Sequence, residues 1–239
     1  MAIPVLIIGE SGTGKSTSLR NLKAQETFII AVIDKPLPFR NSYARVKNEN
    51  EKLTKNISVT DDYQAIVDRI NHVSKNMPHI KNLIIDDFQY VMANEFMAKA
   101  LEKGYDKFTQ MAVHVNSILT AIRNGRHDLQ VYILSHSEEK DGRYKVKTIG
   151  KMLDEKITIE GLFTVVLHTK VIENKYCFIT QNDGVHIAKS PLDMFEHSKI
   201  PNDLQYVKEK IDQFYNADIP DSQPLNESEV ANVANAVSN

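Results

Sequence analysis

The sequence predicts an α/β fold in which helices cover both faces of a mostly parallel β-sheet. Short apolar runs alternate along the chain with segments whose apolar residues recur at helical spacing. Most of these runs are continuously apolar, which is typical of strands buried on both faces. Late in the chain, two runs flank Glu173-Asn174-Lys175 and predict an antiparallel hairpin. A chain of 239 residues suits one domain with a substantial core.

The first quarter of the chain predicts two strands with a helix between them. An apolar run at residues 3–8 predicts the first strand, and the helix follows to about residue 24. Residues 27–33 predict a second buried strand that ends at Asp34. Prolines at positions 36 and 38 stop this strand, because proline has no N–H to donate and fixes an extended geometry. The charged stretch 40–55 is interpreted as a surface excursion.

The middle of the chain predicts two strands and three helices. The strands cover residues 57–59 and 83–87, and the helices cover residues 61–76, 90–102 and 106–124. Thr60 precedes the first of these helices and is predicted to be its N-cap.

The last third predicts a buried strand, a loop, the hairpin and a final helix. The strand covers residues 131–134 and ends at Ser135-His136, and a loop over 137–150 follows. The hairpin strands cover 163–171 and 176–180, and the helix covers 203–215. Residues 216–239 are rich in Asn and Ser and carry acidic but no basic side chains, which predicts a disordered tail. We therefore expect one folded domain over residues 1–215 and a tail over 216–239.

The segment 9–16 has the spacing G-x-x-x-x-G-K-S between a predicted strand and a predicted helix. Glycines let successive N–H groups point inward, and the following helix presents its positive end, so the segment predicts a phosphate-binding loop. The alternative is an ordinary Gly/Ser-rich turn. Lys15 would lie near the β- and γ-phosphates of a nucleoside triphosphate, and Ser16 would bind Mg²⁺. The residues expected to contact the nucleotide are Gly9, Glu10, Ser11, Gly12, Thr13, Gly14, Lys15, Ser16 and Thr17.

Two adjacent carboxylates, Asp86 and Asp87, close the strand at 83–87. A carboxylate at the carboxyl end of a strand near a phosphate loop can hold magnesium, and we assign this role to Asp86. Asp87 is a candidate for orienting the attacking water. The alternative for both is that they are solvated acids at the start of the next helix.

Together, the loop at 9–16, the strand ending in Asp86-Asp87 and the strand ending in Ser135-His136 resemble the core of RecA-like ATPases. The second strand, at 27–33, fits the subgroup of phosphate-loop proteins with an extra strand between the two motif strands. The segments Lys35-Pro36-Leu37-Pro38-Phe39-Arg40 and Ala188-Lys189-Ser190-Pro191, with Met194-Phe195, resemble small phage-encoded ATP-binding proteins related to Sak-type single-strand annealing ATPases.

This resemblance implies roles for two more side chains and for two lysines. The water-polarising acid of such ATPases often follows the second strand, which makes Asp34 a competitor of Asp87. The family favours Glu at this place, and the alternative for Asp34 is that it begins the turn before Pro36. His136 corresponds to the γ-phosphate sensor, with a surface histidine as the alternative. Lys189, and less so Lys151, are candidates for a cation that reaches the nucleotide of a neighbouring subunit, with exposed lysines as the alternative.

The segment 138–147 occupies the place where recombinase-like ATPases contact DNA. Arg143, Lys145 and Lys147 alternate around Tyr144, which offers phosphate-binding charges and one stacking ring. Three acidic residues dilute the charge, so a solvated hairpin is the alternative.

The sequence and the resemblance together predict a Mg²⁺-dependent ATPase that couples its nucleotide state to single-stranded DNA in phage recombination or replication. We expect a homo-oligomer, either a ring or a filament, with phage replication or recombination proteins as partners. Alternatives are a nucleotide-dependent clamp or loader with little hydrolysis, and a small-molecule kinase. The net charge of −2 gives no global attraction to nucleic acid. A single cysteine, no basic leader and no apolar run of about 20 residues predict a soluble protein of the cytoplasm, the host's if phage-encoded.

Overall fold

The computed structural model describes residues 2–47, 55–150, 153 and 157–216. Within them, nine strands share one sheet: β1 (Ile3–Gly9), β2 (Thr27–Ala31), β3 (Ile57–Val59), β4 (Asn82–Asp86), β5 (Gln130–Lys140), β6 (Arg143–Val146), β7 (Val165–Ile172), β8 (Lys175–Ile179) and β9 (Lys199–Pro201). The α-helices are α1 (Tyr63–Asn76), α2 (Gln89–Ala98), α3 (Asp106–Arg123) and α4 (Leu204–Asn216). Short 3₁₀ helices cover Ser16–Asn21, Ala24–Glu26 and Ile159–Leu162.

The strand order is β3-β2-β4-β5-β1-β7-β8-β9, and β6 pairs with β5. The first six strands of this order are mutually parallel, whereas β8 and β9 are antiparallel additions. The predicted α/β class, mostly parallel with a late antiparallel hairpin, is confirmed. The strand between the two motif strands β1 and β4 is β5, which comes later in the chain, and β2 lies outside β4.

Two buried clusters, one on each face of the sheet, make the fold three-layered. On one face, Leu6 and Ile8 of β1 share a cluster with residues of α1 and α3. On the other, Val5 and Ile7 share a cluster with α4 and with Leu19 of the first 3₁₀ helix. Because successive side chains of a strand point to opposite faces, the continuous apolar run of β1 serves both layers.

The helix after the phosphate loop differs from the expectation. Residues 17–24 do not form an α-helix but two 3₁₀ helices, with Leu22 extended between them. The N–H of Ser18 is shared between the carbonyls of Gly14 (3.0 Å) and Lys15 (3.2 Å), and its hydroxyl donates to the Lys15 carbonyl at 2.5 Å. The two bonds to the Lys15 carbonyl are i−3 bonds, and they tighten the first turn into 3₁₀ geometry.

The predicted N-cap of α1 is also wrong. Asp62, not Thr60, caps the helix, since its carboxylate accepts the N–H of Ala65 at 2.7 Å. The N–H of Thr60 instead donates to the Ala31 carbonyl, so Thr60 still belongs to the edge of the sheet.

Strand β5 extends well beyond its predicted end at residue 134. It continues to Lys140 and pairs with β6, so most of the predicted loop at 137–150 is a hairpin. Asp141 (φ 53°) and Gly142 (φ 75°) form its two-residue turn, in which positive φ at both positions matches the twist of the strands. The late hairpin β7–β8 has the same kind of two-residue turn, with positive φ at Glu173 and Asn174.

The tail predicted for residues 216–239 falls almost entirely outside the described residues, as does Lys151. Among the helices that are described, none has the length and apolar character that crossing a membrane requires.

Candidate functional site

The phosphate loop lies at the carboxyl end of β1, at the central part of the sheet. Gly12 (φ 78°) and Gly14 (φ 97°) have left-handed backbone conformations that side chains other than glycine rarely adopt. Gly9 is required for a different reason, because a Cβ there would collide with the hydroxyl of Thr169 on β7. Thr13 closes the loop by donating to the Glu10 carbonyl at 2.8 Å. The loop is thus held in a curled shape by contacts from within and from β7.

Lys15 is buried in this loop, with 7% of its surface exposed. Its Nζ donates to the carbonyls of Gly9 (2.8 Å) and Glu10 (2.7 Å). Burial lowers the pKa of Lys15 to about 8, against the attraction of Asp87 and Asp86. The ammonium is therefore charged at pH 7, and phosphate oxygens could replace the two carbonyls as its acceptors.

Ser16, the first residue of the 3₁₀ helix after the loop, faces Asp86, the last residue of β4. The Ser16 hydroxyl donates to the Asp86 carboxylate, 2.9 Å from Oδ2 and 3.1 Å from Oδ1. Asp86 is 4% exposed, and its pKa is raised to about 6 by burial and then by the charge of Asp87. A buried carboxylate beside a hydroxyl is a donor set that suits Mg²⁺, which prefers oxygen ligands and would offset the buried charge.

Asp87 lies beside this pair in a constellation with Lys35 and His136. It is 3% exposed and has φ of 63°, a conformation that is rare for aspartate. The Lys35 ammonium forms an ion pair with one carboxylate oxygen, and His136 Nε2 lies 3.9 Å from the other. Burial and the charge of Lys15 lower the pKa of His136, so its ring is neutral at pH 7.

The side chain of Gln89 contacts β5 at Ser135 and His136. Its side-chain oxygen accepts the N–H of His136 at 3.0 Å and lies 3.4 Å from the Ser135 hydroxyl. Gln89 is the first residue of α2 and comes two residues after Asp87. The polar ends of β4 and β5 are therefore linked through the start of one helix.

A cleft of roughly 350 Å³ opens in front of the loop. Its lining residues are Ser11, Gly12, Gly14, Lys15, Ser16, Thr17, Lys35, Pro36, Pro38, Asp87, His136 and Tyr176. The structure thus brings together the predicted loop, Asp86, Asp87 and His136.

Two predicted residues do not face this cleft. The side chain of Asp34 is 67% exposed and forms an ion pair with Arg45. Lys189 bonds through its backbone to Val166, the second residue of β7, and it is not among the residues that line the cleft.

Sequence reasoning missed three residues beside the loop: Lys35, Tyr176 and Asn202. Lys35 was noticed only as part of a proline-containing segment. Tyr176 belongs to β8 and Asn202 follows β9, and both approach Gly14 across the sheet. Because these contacts join residues more than 160 positions apart, no local pattern signals them.

The hairpin β5–β6 displays part of the predicted DNA-contacting surface. Arg143 and Lys147 are exposed. Tyr144 is less available, because its ring stacks on His186 with centroids 5.4 Å apart. Lys145 lies 3.7 Å from Glu138. The N–H of Lys147 donates to the carbonyl of His136 at 2.8 Å, which ties the hairpin to the cleft.

A phosphate loop on β1, a carboxylate at the end of β4 and a polar side chain on the intervening β5 define a phosphate-loop nucleoside triphosphatase with the extra-strand core. Residues 3–130 match the family described as AAA domain. The chain therefore belongs to the AAA domain family and is an ATP-binding protein of the phosphate-loop NTPase class.

Among solved structures, the chain matches the genome packaging NTPase B204 from Sulfolobus turreted icosahedral virus 2. Its complex with ATP-gammaS is 10% identical with a TM-score of 0.40, and its complex with sulfate is 15% identical with a TM-score of 0.42. Each match covers 72% of this chain and 76% of the other. No curated protein matches the sequence.

Proposed function

We propose that this protein is a Mg²⁺-dependent ATPase that couples its nucleotide state to single-stranded DNA in phage recombination or replication. The observation that carries the ATPase part is the contact between Ser16 and the buried Asp86, 2.9 Å apart at the mouth of the loop that holds Lys15. It joins the two motifs of an ATPase site, which are 70 residues apart in the sequence. The resemblance of the segments around Pro36 and Lys189 to phage proteins supports the phage context, and with it the host cytoplasm.

Ser16 and Asp86 are the residues that would hold Mg²⁺. When bound, the ion neutralises the charge that develops on the phosphates during transfer. Lys15 would give up its bonds to the Gly9 and Glu10 carbonyls and donate to the β- and γ-phosphate oxygens instead. The N–H groups of the loop would hold the remaining oxygens.

We assign the positioning of the attacking water to Asp87 rather than to Asp34. Asp87 lines the cleft, whereas Asp34 points to solvent and pairs with Arg45. In this structure the Lys35 ammonium is paired with the Asp87 carboxylate. The carboxylate would become free to orient water when Lys35 turns toward another anion. The γ-phosphate is such an anion, and Lys35 lines the same cleft.

His136 would sense the γ-phosphate and pass its state to the hairpin β5–β6. The hairpin begins one residue after His136, and the Lys147 N–H binds the His136 carbonyl. Arg143 and Lys147 would bind the backbone of single-stranded DNA. A shift of His136 on phosphate loss would therefore move the residues that contact DNA.

The second candidate function is a nucleotide-dependent clamp or loader that hydrolyses ATP slowly. The ion pair between Lys35 and Asp87 favours it, because a carboxylate that stays paired with an ammonium is a weaker base toward water. The two functions share the same bound nucleotide and differ in turnover.

Multi-turnover phosphate release, measured with and without single-stranded DNA, separates them. We expect turnover that DNA accelerates, and a fall of at least about 100- to 1000-fold in Lys15→Ala, because one preorganised cation at the phosphates is lost. Lys23→Ala is the matched control, since Lys23 is an exposed lysine near the loop.

Wild-type turnover in Lys15→Ala would contradict the assignment of the site. Tight ATP binding without multiple turnovers, in the presence of DNA as well, would favour the clamp.

A further inference from the structure

Asn202 is a buried amide whose polar atoms are unused. It follows β9 and precedes α4, and it is 1% exposed. Neither its Oδ1 nor its Nδ2 has a hydrogen-bond partner among the residues that the structure describes. Its backbone is well held, because the carbonyl accepts from Arg20 Nη1 at 2.6 Å. An amide kept in place with both polar atoms unsatisfied is unfavourable in a core, so Asn202 needs a partner that the described residues do not supply.

The amide lies against the phosphate loop. A Cβ placed on Gly14 would be 3.2 Å from Asn202 Oδ1 and 2.8 Å from Tyr176 Cδ1. Asn202 and the Tyr176 ring therefore occupy the same side of Gly14. Tyr176 also lines the cleft together with Ser16 and Thr17, and it is 47% exposed.

Asn202 and Tyr176 lie on the opposite side of the phosphate loop from Asp86 and Asp87. Strand β1 has β5 and β4 on one side and β7, β8 and β9 on the other. Asp86 and Asp87 end β4, so the phosphates and the metal ligands face that half of the sheet. The half formed by β8 and β9 is left for the rest of the nucleotide, the sugar and the base.

The two side chains have the chemistry of a nucleobase site. An aromatic ring offers a face on which a base can stack. A free amide offers one donor and one acceptor, which match N7 and the N6 amino group of adenine in a bidentate pair. Guanine presents two acceptors, N7 and O6, on the same edge and can use only the amide's donor.

We infer that Tyr176 and Asn202 form the subsite for the nucleobase and select adenine over guanine. The inference rests on the proposed nucleotide-binding function and names the residues that read the base. Because Asn202 is 1% exposed, the base reaches its amide only after a neighbour moves. The half-exposed Tyr176 ring is the neighbour that lines the cleft, and it would turn from Gly14 onto the face of the base.

The test is equilibrium binding of ATP, GTP and inorganic tripolyphosphate to the full chain with Mg²⁺ present. Tripolyphosphate reports on the phosphate loop without a base. We expect the wild type to bind ATP about 10- to 100-fold more tightly than GTP, the discrimination of one bidentate pair.

Asn202→Ala should reduce ATP affinity by about 10- to 100-fold, bring the ATP/GTP ratio near one and leave tripolyphosphate binding unchanged. Asn202→Asp is a near-isosteric second variant that keeps the shape should Ala disturb the fold, and its second acceptor opposes N7 of adenine. Tyr176→Ala should weaken both nucleotides and Tyr176→Phe neither, because stacking does not discriminate between purines. Asn124→Ala and Tyr215→Ala are exposed controls that should bind as the wild type does.

Equal affinity for ATP and GTP in the wild type would overturn the inference, and so would an unchanged ATP/GTP ratio in both Asn202 variants. In either case, binding of tripolyphosphate would show that the phosphate loop still binds phosphates, so the assignment of that site would stand. A wild-type protein that binds neither ATP nor tripolyphosphate would contradict the proposed function itself.

Discussion

At the scale of single residues, the most informative group is the carboxylate of Asp86. The fold buries it to 4% exposure, and within the described residues its hydrogen bonds come from the Ser16 hydroxyl and the Asp87 N–H. Neither donor carries a charge, and the nearby Asp87 adds a like charge. The pKa of Asp86 therefore rises to about 6, which shows that the charged form is unfavourable until a cation arrives.

This burial predicts how stability depends on pH. The pKa of Asp86 is about 6 in the folded state against 3.8 ordinarily, so the folded state binds the proton more tightly than the unfolded chain. Ionisation of Asp86 then lowers the free energy of unfolding as the pH rises from about 4 to about 6, by up to about 3 kcal/mol. Asp86→Asn, which does not ionise, should be more stable than the wild type by up to that amount at pH 7.5 and nearly equal to it at pH 4.

Urea unfolding of both proteins between pH 4 and pH 8, without nucleotide or metal, measures this difference. Mg²⁺ added at pH 7.5 should stabilise the wild type but not Asp86→Asn. Asp128→Asn is a suitable control, because that exposed carboxylate is paired with Lys81 and Arg126. A stability difference that stays constant across this pH range would contradict the buried, metal-binding role of Asp86.

At the scale of secondary structure, β5 joins the core, the site and the surface. Its first residues are fully buried between β1 and β4, Ser135 and His136 stand at the cleft, and the last residues form the hairpin with β6. The hairpin is anchored through Tyr144, which stacks on His186 and contacts His168 of β7 edge-on. A displacement at the cleft would therefore reach the hairpin through continuous backbone pairing.

The hairpin predicts a separable effect on DNA binding. Arg143→Ala with Lys147→Ala removes two exposed cations and leaves the bond from the Lys147 N–H to His136 intact, since that bond is made by the backbone. We expect weaker binding of a labelled oligonucleotide by fluorescence anisotropy and a salt-dependence slope reduced by about 1.4, at about 0.7 per phosphate contact. ATP hydrolysis without DNA should stay at the wild-type rate.

Lys103→Ala serves as the control, because Lys103 is exposed but lies between α2 and α3. Unchanged affinity and slope in the double variant would move the DNA site away from this hairpin. A loss of basal hydrolysis would show that the two cations act at the nucleotide instead.

At the scale of the whole molecule, the site lies at the carboxyl edge of the central parallel strands. Lys189 lies apart from it, beside Val166 at the start of β7. If Lys189 contributes to catalysis at all, it must reach the nucleotide of another copy, as expected for a homo-oligomer. The proposed ring or filament can therefore be tested through the side chain of Lys189.

Mixing two inactive variants tests this arrangement. Lys15→Ala disables a subunit's own site, and Lys189→Ala removes what that subunit gives to its neighbour. If Lys189 acts between subunits, an equimolar mixture should recover about a quarter of wild-type turnover, because random pairing joins an intact site to an intact neighbour at that frequency. Lys189→Ala mixed with a chain carrying both substitutions should recover nothing.

Gel filtration with and without ATP should accompany the mixing experiment and show a shift to larger species with ATP. A Lys189→Ala protein with full turnover on its own would contradict the shared site, whatever its assembly state.

The sequence by itself determined the α/β class, the phosphate loop and the partnership of Ser16 with Asp86. These follow from local patterns: apolar runs give buried strands, the loop spacing requires glycine, and parallel strands end at one edge of the sheet. Local patterns did not decide between Asp34 and Asp87, because β2 ends at Ala31 and the turn after it directs Asp34 toward Arg45. They also gave no sign that β5 continues past the cleft into a hairpin.

Only the tertiary structure brought Lys35 to Asp87 and placed Tyr176 and Asn202 against Gly14. The physical reason is the strand order. Strand β7 pairs with β1 and carries β8 and β9 beyond it, so residues near position 200 meet a loop near position 14. Sheet order is fixed by how whole strands and helices pack, and it leaves no periodicity in the segments that it joins.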